Sequence, residues 1–321
     1  MVANNPSLPP AILLLGPTAS GKTDLALRLV DQFADRHPID LISVDSALVF
    51  KDMNIGTAKP DADTLKRYPH ALVDVITPEE SYSAARFRED ALTAMAESTA
   101  RGHIPLLVGG TMLYIKALLE GLSDLPQANA TLRAEIDARA QQQGWPAIHA
   151  ELAMLDPTTA ARLAPNDSQR IQRALEICLL RGRPASALYA EQQQQTAPPY
   201  RFLSLALLPS DRSWLHERIA LRFRLMLQQG FVEEVEALRA KYNLHADLPS
   251  MRCVGYRQAW DVLENTLAPK ELEERGIYAT RQLAKRQITW LKNSIGCEPF
   301  DCLQNDNADL MGRRVAEFLT G

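Results

Sequence analysis

The chain has little from which to build a disulfide or metal framework. Its four cysteines, Cys178, Cys253, Cys297 and Cys302, form no CxxC pair and have no nearby histidine pair at zinc spacing. Reduced thiols are therefore expected. No stretch approaches the roughly 18 apolar residues that cross a bilayer. The opening residues MVANNPSLPP lack both the positive charge and the apolar segment of a signal peptide. The expectation is a cytoplasmic protein with no membrane partner. A positive excess is also missing: 35 Lys and Arg face 39 Asp and Glu, a net charge of −4. That balance argues against a generally basic nucleic-acid binder, although it leaves room for local basic patches. No coiled-coil repeat hints at self-association, so a monomer is expected.

What is present suits one large or two modest domains with an ample core: 321 residues, 46% hydrophobic. AILLL (11–15), DLISV (40–44), ALVDVI (71–76) and IPLLV (104–108) read as buried strands, each followed by turn residues. Helical patterns lie between them, such as Leu25, Leu29 and Phe33, and a long run near 82–101. Strands alternating with helices of this length predict a parallel sheet that binds ligands at its carboxyl edge. After Gly121 the texture changes. Residues 121–199 contain no convincing strand, and two glutamine runs (141–143 and 192–195) read as solvated helix face or loop. A strand-like FLSLALL (202–208) then precedes helices over 212–229, 231–241 and 270–293. The fold class expected is α/β: a P-loop parallel sheet flanked by helices, formed by 1–120 and 200–321, with an all-helical insertion over 121–199.

The segment GPTASGKT fits the pattern G-x-x-x-x-G-K-[ST] and its context, a strand before and a helix after. Gly16 and Gly21 permit backbone angles that aim the N–H groups of Pro17's neighbours Thr18, Ala19 and Ser20 at one anion. The helix that follows adds its positive end. Lys22 supplies a mobile cation, and the Thr23 hydroxyl can hold Mg²⁺. The loop thus predicts a di- or triphosphate with magnesium. Asp45 closes the second strand at the same edge. It reads as a turn aspartate, a Walker-B magnesium holder or a general base, and the loop alone does not choose among them.

Six strings now converge in order: GPTASGKT (16–23), VDSALVFKDMNIGTAKP (44–60), GGTMLY (109–114), NDSQRIQRALEI (166–177), RCVGYRQAW (252–260) and KRQITWL (285–291). Together they resemble the tRNA dimethylallyltransferase (tRNA isopentenyltransferase) family over nearly the whole chain. Longer members carry a C-terminal zinc finger; this chain stops at Gly321 without one and resembles the short bacterial type. The resemblance implies transfer of the dimethylallyl group of dimethylallyl diphosphate to the exocyclic amine of the adenine 3′ to a tRNA anticodon. The loop 16–23 would then hold the departing diphosphate, with Mg²⁺ as cofactor. Whether ATP can also occupy it stays open.

By the same resemblance Asp45 is the base, Thr23 its close partner at the diphosphate and metal, and Arg222 a third catalytic residue at the diphosphate. A helical wheel places Arg222 at the border of the stripe Leu215, Ile219, Phe223 and Met226. The family's RNA-contacting positions fall on Asp45, Ser46, Ala47 and Leu48; on Thr111 and Arg133; and on Gln169, Arg170, Ile171, Gln172 and Arg173. They continue through Arg252, Cys253, Val254, Gly255, Tyr256 and Arg257. The last group is Lys285, Arg286, Gln287, Ile288, Thr289, Trp290, Leu291 and Lys292. The partner implied is a tRNA anticodon stem-loop whose target base leaves its stack.

Uneven charge agrees with that partner. From Arg275 to Cys297 there are five Lys or Arg and no acid, and from Leu163 to Pro184 four Arg against two acids. Arg281, Lys285 and Lys292 project within about 40° of one another on an ideal helix, beside Ile277, Ala284, Ile288 and Leu291. Two rivals are a P-loop small-molecule kinase and a nucleotide-gated RNA-binding switch. The helical insertion and basic segments are superfluous for the first; Asp45 beside Thr23 argues against the second.

Overall fold

The computed structural model describes residues 7–121, 125–126, 128–191 and 198–320. The chain divides into two compact units, one formed by Met1–Leu118 with Pro198–Gly321, the other by Leu119–Ala197.

In the larger unit, six strands form one parallel sheet: β1 (Pro10–Leu15), β2 (Ile39–Val44), β3 (His70–Ala71), β4 (Ile104–Gly109), β5 (Arg201–Leu208) and β6 (Glu298–Asp301). Their spatial order is β3-β2-β4-β1-β5-β6. Helices cover both faces of such a sheet, so its central strands must be apolar on both sides. Accordingly Ala11 to Leu15 are fully buried, as are Leu106, Leu107, Leu205 and Ala206. One face packs on Leu25, Leu29 and Phe33 of helix Lys22–Phe33 and on Met311, Val315 and Phe318 of helix Asn307–Thr320. Each such leucine or isoleucine contributes about 1.5–3 kcal/mol of burial.

Four of the expected strands form within a residue or two of their sequence limits. ALVDVI does not. β3 covers only His70–Ala71, after which Leu72 and Asp74 take left-handed φ of 65° and 55°. The chain turns there, and its backbone pairs with the segment 48–51 instead. Asp74 N–H donates to the Leu48 carbonyl at 3.0 Å, and Val75 and Ile76 N–H to that of Val49 at 2.8 and 3.0 Å, while the Asp74 carboxylate pairs with the buried ammonium of Lys59. β6 went unseen for the opposite reason. EPFD is a short edge strand with a proline and no fully buried residue, so it carries no apolar signature.

The smaller unit is helical throughout its described residues, with helices Ala130–Gln143, Trp145–Leu155, Pro157–Ala160, Ser168–Arg181 and Ala185–Glu191. Ile136, Ile148, Leu152, Ile171 and Leu175 make its core. Buried Asp156 accepts from the backbone N–H and hydroxyl of both Thr159 and Ser186 at 2.6–3.0 Å. The first glutamine run ends helix Ala130–Gln143 on exposed positions, and the second lies outside the described residues.

Candidate active site

Because all the strands are parallel, the loops following β1, β2 and β4 emerge together at the carboxyl edge. β4 lies between β1 and β2, so its Gly109–Thr111 segment is the bridge between the other two loops. Gly16 N–H donates to the Gly109 carbonyl at 3.3 Å, and the N–H groups of Gly110 and Thr111 both donate to the Val44 carbonyl at 3.2 Å. Thr111 Oγ1 in turn accepts from Ser46 N–H at 3.0 Å.

The loop after β1 bends through Ala19 at φ 63° and Gly21 at φ 90° before helix Lys22–Phe33 begins. Two side chains from the far C-terminal half hold it. Gln287 Oε1 accepts from Thr18 N–H at 2.9 Å, and its Nε2 donates to the Gly110 carbonyl at 2.8 Å. A Cβ on Gly110 would come within 2.5 Å of that Nε2, so only glycine allows the bridge. Arg218 Nε donates to the Ala19 carbonyl at 2.9 Å while its guanidinium stacks on Trp214.

Beside this loop opens a cavity of about 640 Å³. Lys22, Thr23, Asp45 and Arg222 line it together. The Lys22 ammonium donates to the Pro17 carbonyl at 3.3 Å. Burial pushes its pKa down to about 8, against the raising effect of Asp45 and with the lowering effect of Arg222. Burial likewise pulls Arg222 below its ordinary value, Asp45 opposing and Arg218 adding to the shift. The three charges therefore feel one another. Asp45 Oδ1 caps the next turn, accepting from Ala47 N–H at 2.8 Å and Leu48 N–H at 3.4 Å. Its Oδ2 has no hydrogen-bond partner among the described residues. Arg222 Nη2 donates to the Thr57 carbonyl at 3.2 Å.

The rest of the wall is largely apolar or aromatic, with Ile219, Phe223, Met226, Leu283 and Trp290 from the C-terminal helices and Tyr82, Met112 and Tyr114 opposite. Burial pushes the Cys253 thiol up to about 12, so it is one more neutral wall group. The site thus sets a cluster of charged groups and a glycine-rich loop against a largely apolar chamber.

Other residues expected at the site fall out differently. Ser46, Ala47, Leu48, Thr111, Arg252, Val254, Arg286 and Gln287 line the cavity. Tyr256 and Leu291 are buried among core side chains, as is Ile171 in the helical unit, so these three side chains have no face to offer RNA. The common basic face expected of Arg281, Lys285 and Lys292 is divided. Lys285 and Lys292 are exposed, whereas Arg281 is half-buried with its Nε enclosed and unpartnered. The helix turns Thr280, Leu283, Arg286, Gln287 and Trp290 to the cavity instead. In the helical unit, Arg133 makes a two-pronged pair with buried Glu176, both contacts at 2.9 Å, and Arg173 joins them at 2.5 Å. Sequence reasoning missed Arg218 and His70. Arg218 sits one turn before Arg222, a spacing that could have revealed it; His70 has no comparable signal.

A wholly parallel α/β sheet with a glycine-rich loop after an interior strand, and cations and a carboxylate at its carboxyl edge, defines a P-loop-type α/β protein. The sequence profile described as IPP transferase matches residues 48–294, and the chain belongs to that family. It is 63% identical over 317 residues to the tRNA dimethylallyltransferase of Dechloromonas aromatica, covering 99% of each chain. To that of Chromobacterium violaceum it is 60% identical over 314 residues, covering 98% of this chain and 95% of the relative. Among solved structures, the tRNA isopentenylpyrophosphate transferase of Bacillus halodurans superposes with a TM-score of 0.68 at 31% identity, covering 97% and 96% of the two chains. A eukaryotic dimethylallyltransferase acting on tRNA gives a TM-score of 0.75 at 26% identity, covering 96% of this chain and 77% of that one. No described helix is long and apolar enough to cross a membrane.

Proposed function

We propose that this chain is a tRNA prenyltransferase. It transfers the dimethylallyl group of dimethylallyl diphosphate to the exocyclic amine of the adenosine 3′ to the anticodon, giving N6-isopentenyladenosine and diphosphate. One observation carries the reading: Lys22, Asp45 and Arg222 converge on one cavity that also has a broad apolar and aromatic wall of Ile219, Phe223, Met226, Leu283 and Trp290. A kinase needs the cations but has no use for an oily chamber beside them. An allylic diphosphate needs both.

In this reading the loop amides, Lys22 and Arg222 stabilise negative charge as the allylic C–O bond breaks and its electron pair leaves with the diphosphate. The adenine amine attacks the allylic carbon as Asp45 Oδ2 takes its proton. Asp45 Oδ1, fixed by the turn it caps, holds that oxygen in place. Among the described residues no cluster of three or more His, Cys, Asp or Glu forms a metal cage. The donors present, the Thr23 hydroxyl with a nearby carboxylate, suit Mg²⁺, which takes most of its ligands from phosphate and water. Held by Thr23, Mg²⁺ would neutralise charge on the diphosphate oxygens. Gln287, Arg286, Arg252 and the Asp45–Leu48 turn border the chamber where an extruded base would enter. In the helical unit, Arg133, Gln169, Arg170, Gln172 and Arg173 would meet the anticodon stem-loop. In this reading the enzyme works as a monomer on its tRNA in the cytoplasm.

Label from dimethylallyl diphosphate should appear in unmodified tRNA on incubation with the protein. No label in tRNA, together with transfer from γ-labelled ATP to a small acceptor, would establish the kinase instead.

Two further outcomes follow from the charges. Lys22 titrates near pH 8 in the free protein, and a bound diphosphate will keep it protonated. Below pH 8 it is charged in both states and contributes no pH dependence. Above pH 8 binding takes up a proton, so affinity for inorganic pyrophosphate falls by up to tenfold per pH unit. Comparison with Lys22→Gln removes the ligand's own ionisation; equal slopes in the two proteins would place the Lys22 titration elsewhere. Replacing Lys285, Arg286 and Lys292 together should weaken tRNA binding and lower its log–log salt slope by roughly 2. An unchanged slope would take these side chains off the RNA backbone.

A further inference from the structure

The geometry points to Glu234 as a positioning residue that acts on the diphosphate site through Arg222. This inference rests on the reading of that cavity given above. Glu234 lies in the first turn of helix Phe231–Lys241 and does not line the cavity. Its carboxylate nevertheless receives four donors. Oε2 accepts from Asn54 N–H at 2.9 Å and Ile55 N–H at 2.7 Å; Oε1 accepts from Gly56 N–H at 3.2 Å and the Tyr256 hydroxyl at 2.6 Å. Three consecutive backbone N–H groups aimed at one side form a concave anion seat, and Glu234 is the anion built into it.

The seat fixes the residue that follows it. The Thr57 carbonyl, next after Gly56, accepts from Arg222 Nη2 at 3.2 Å, and Gly56, Thr57 and Ala58 are cavity wall. Further restraints act on the same loop. Thr57 Oγ1 donates back to the Met53 carbonyl at 2.7 Å, and Ala58 turns at a left-handed φ of 49°. A Cβ on Gly56 would meet Phe231 at 2.2 Å and Tyr256 at 2.6 Å, so the backbone lies flat against both rings. A half-buried arginine has several rotamers of similar energy, and a fixed carbonyl selects one. Glu234 therefore sets the direction of Arg222 without touching the ligand. Glutamine at this position keeps the shape but loses the charge, and its amide nitrogen is a donor facing donors.

A double-mutant cycle tests this with inorganic pyrophosphate as the probe and calorimetry as the readout. In the native background Glu234→Gln should weaken pyrophosphate binding about tenfold. In an Arg222→Gln background the same substitution should change it less than twofold, while the fall in Tm is the same in both. Equal effects in the two backgrounds would make Glu234 a loop scaffold only, and no effect in the native background would also overturn the proposal. If Glu234→Gln does not fold, Tyr256→Phe removes one donor from the same carboxylate and must show the same coupling at reduced size. Failure to label tRNA with the cycle intact would sink the prenyl-transfer reading alone. An additive cycle in a protein that labels tRNA would sink the Glu234 inference alone, and failure of the native protein to bind pyrophosphate would overturn both.

Discussion

Asp45→Asn should lower the turnover of dimethylallyl transfer by about 10²–10⁴ and leave tRNA affinity within a fewfold of the native value. The size follows from the nucleophile. The lone pair of an adenine amine is delocalised into the ring, so attack on carbon gains little until the N–H proton departs. A positioned base therefore acts mainly in the transition state, and its loss, about 3–5 kcal/mol, falls on kcat rather than on binding. Asparagine is the informative substitution. It retains an Oδ1 acceptor for the Ala47 and Leu48 N–H groups, so the turn between β2 and the chamber should keep its shape. Asp45→Ala loses base and cap together and should add a defect in substrate binding. Single-turnover rates with saturating tRNA, alongside filter-binding affinities, separate the two effects. A loss confined to RNA binding would remove Asp45 from the base role.

The contrast between what could and could not be read in advance follows sequence separation. The loop at 16–23 is legible because its fold depends on its own glycines and on the apolar run before it. Asp45 is legible because the six-residue strand IDLISV, four of its residues apolar, ends one residue earlier. By contrast, Gln287 reaches Thr18 across 269 positions, Arg218 reaches Ala19 across 199, and Glu234 reaches Ile55 across 179. No local pattern encodes those meetings; packing of the C-terminal helices on the sheet edge creates them. Helix Leu272–Asn293 shows the same limit. Its wheel groups Ile277, Ala284, Ile288 and Leu291, of which the first two and Leu291 are buried and Ile288 half-buried. The wheel does not say which flank of that stripe meets the chamber, and the flank proves to be that of Thr280, Leu283, Gln287 and Trp290. ALVDVI misled because its apolar composition does not show that the backbone leaves the sheet after Ala71 and pairs instead with the segment 48–51.

Glu176→Ala should destabilise the helical unit by about 3 kcal/mol, the cost of leaving two half-buried guanidiniums and the Asn129 N–H without their acceptor. Glu176 is fully buried and accepts from Arg133, Arg173 and Asn129 N–H, the last at 2.7 Å. It thereby ties helix Ala130–Gln143 and the turn before it to helix Ser168–Arg181. Burial alone would raise its carboxyl; the two arginines and the Asn129 N–H outweigh it and hold the pKa below the ordinary 4.5. A depressed folded pKa contributes stability that is present above about pH 4.5 and lost as pH falls further. Hydrogen exchange should therefore show protection in both helices falling on the order of a hundredfold in Glu176→Ala at pH 7, with the parallel sheet little changed. In the native protein the same helices should lose protection first on acidification below pH 4.5. Protection lost equally across the sheet, or in neither helix, would show that the pair does not hold the unit together. The same cluster constrains Arg133 and Arg173 as RNA ligands. Their guanidiniums are already engaged, so any phosphate they meet must share them with Glu176, and Glu176→Gln should free them and strengthen RNA binding even as it loosens the fold.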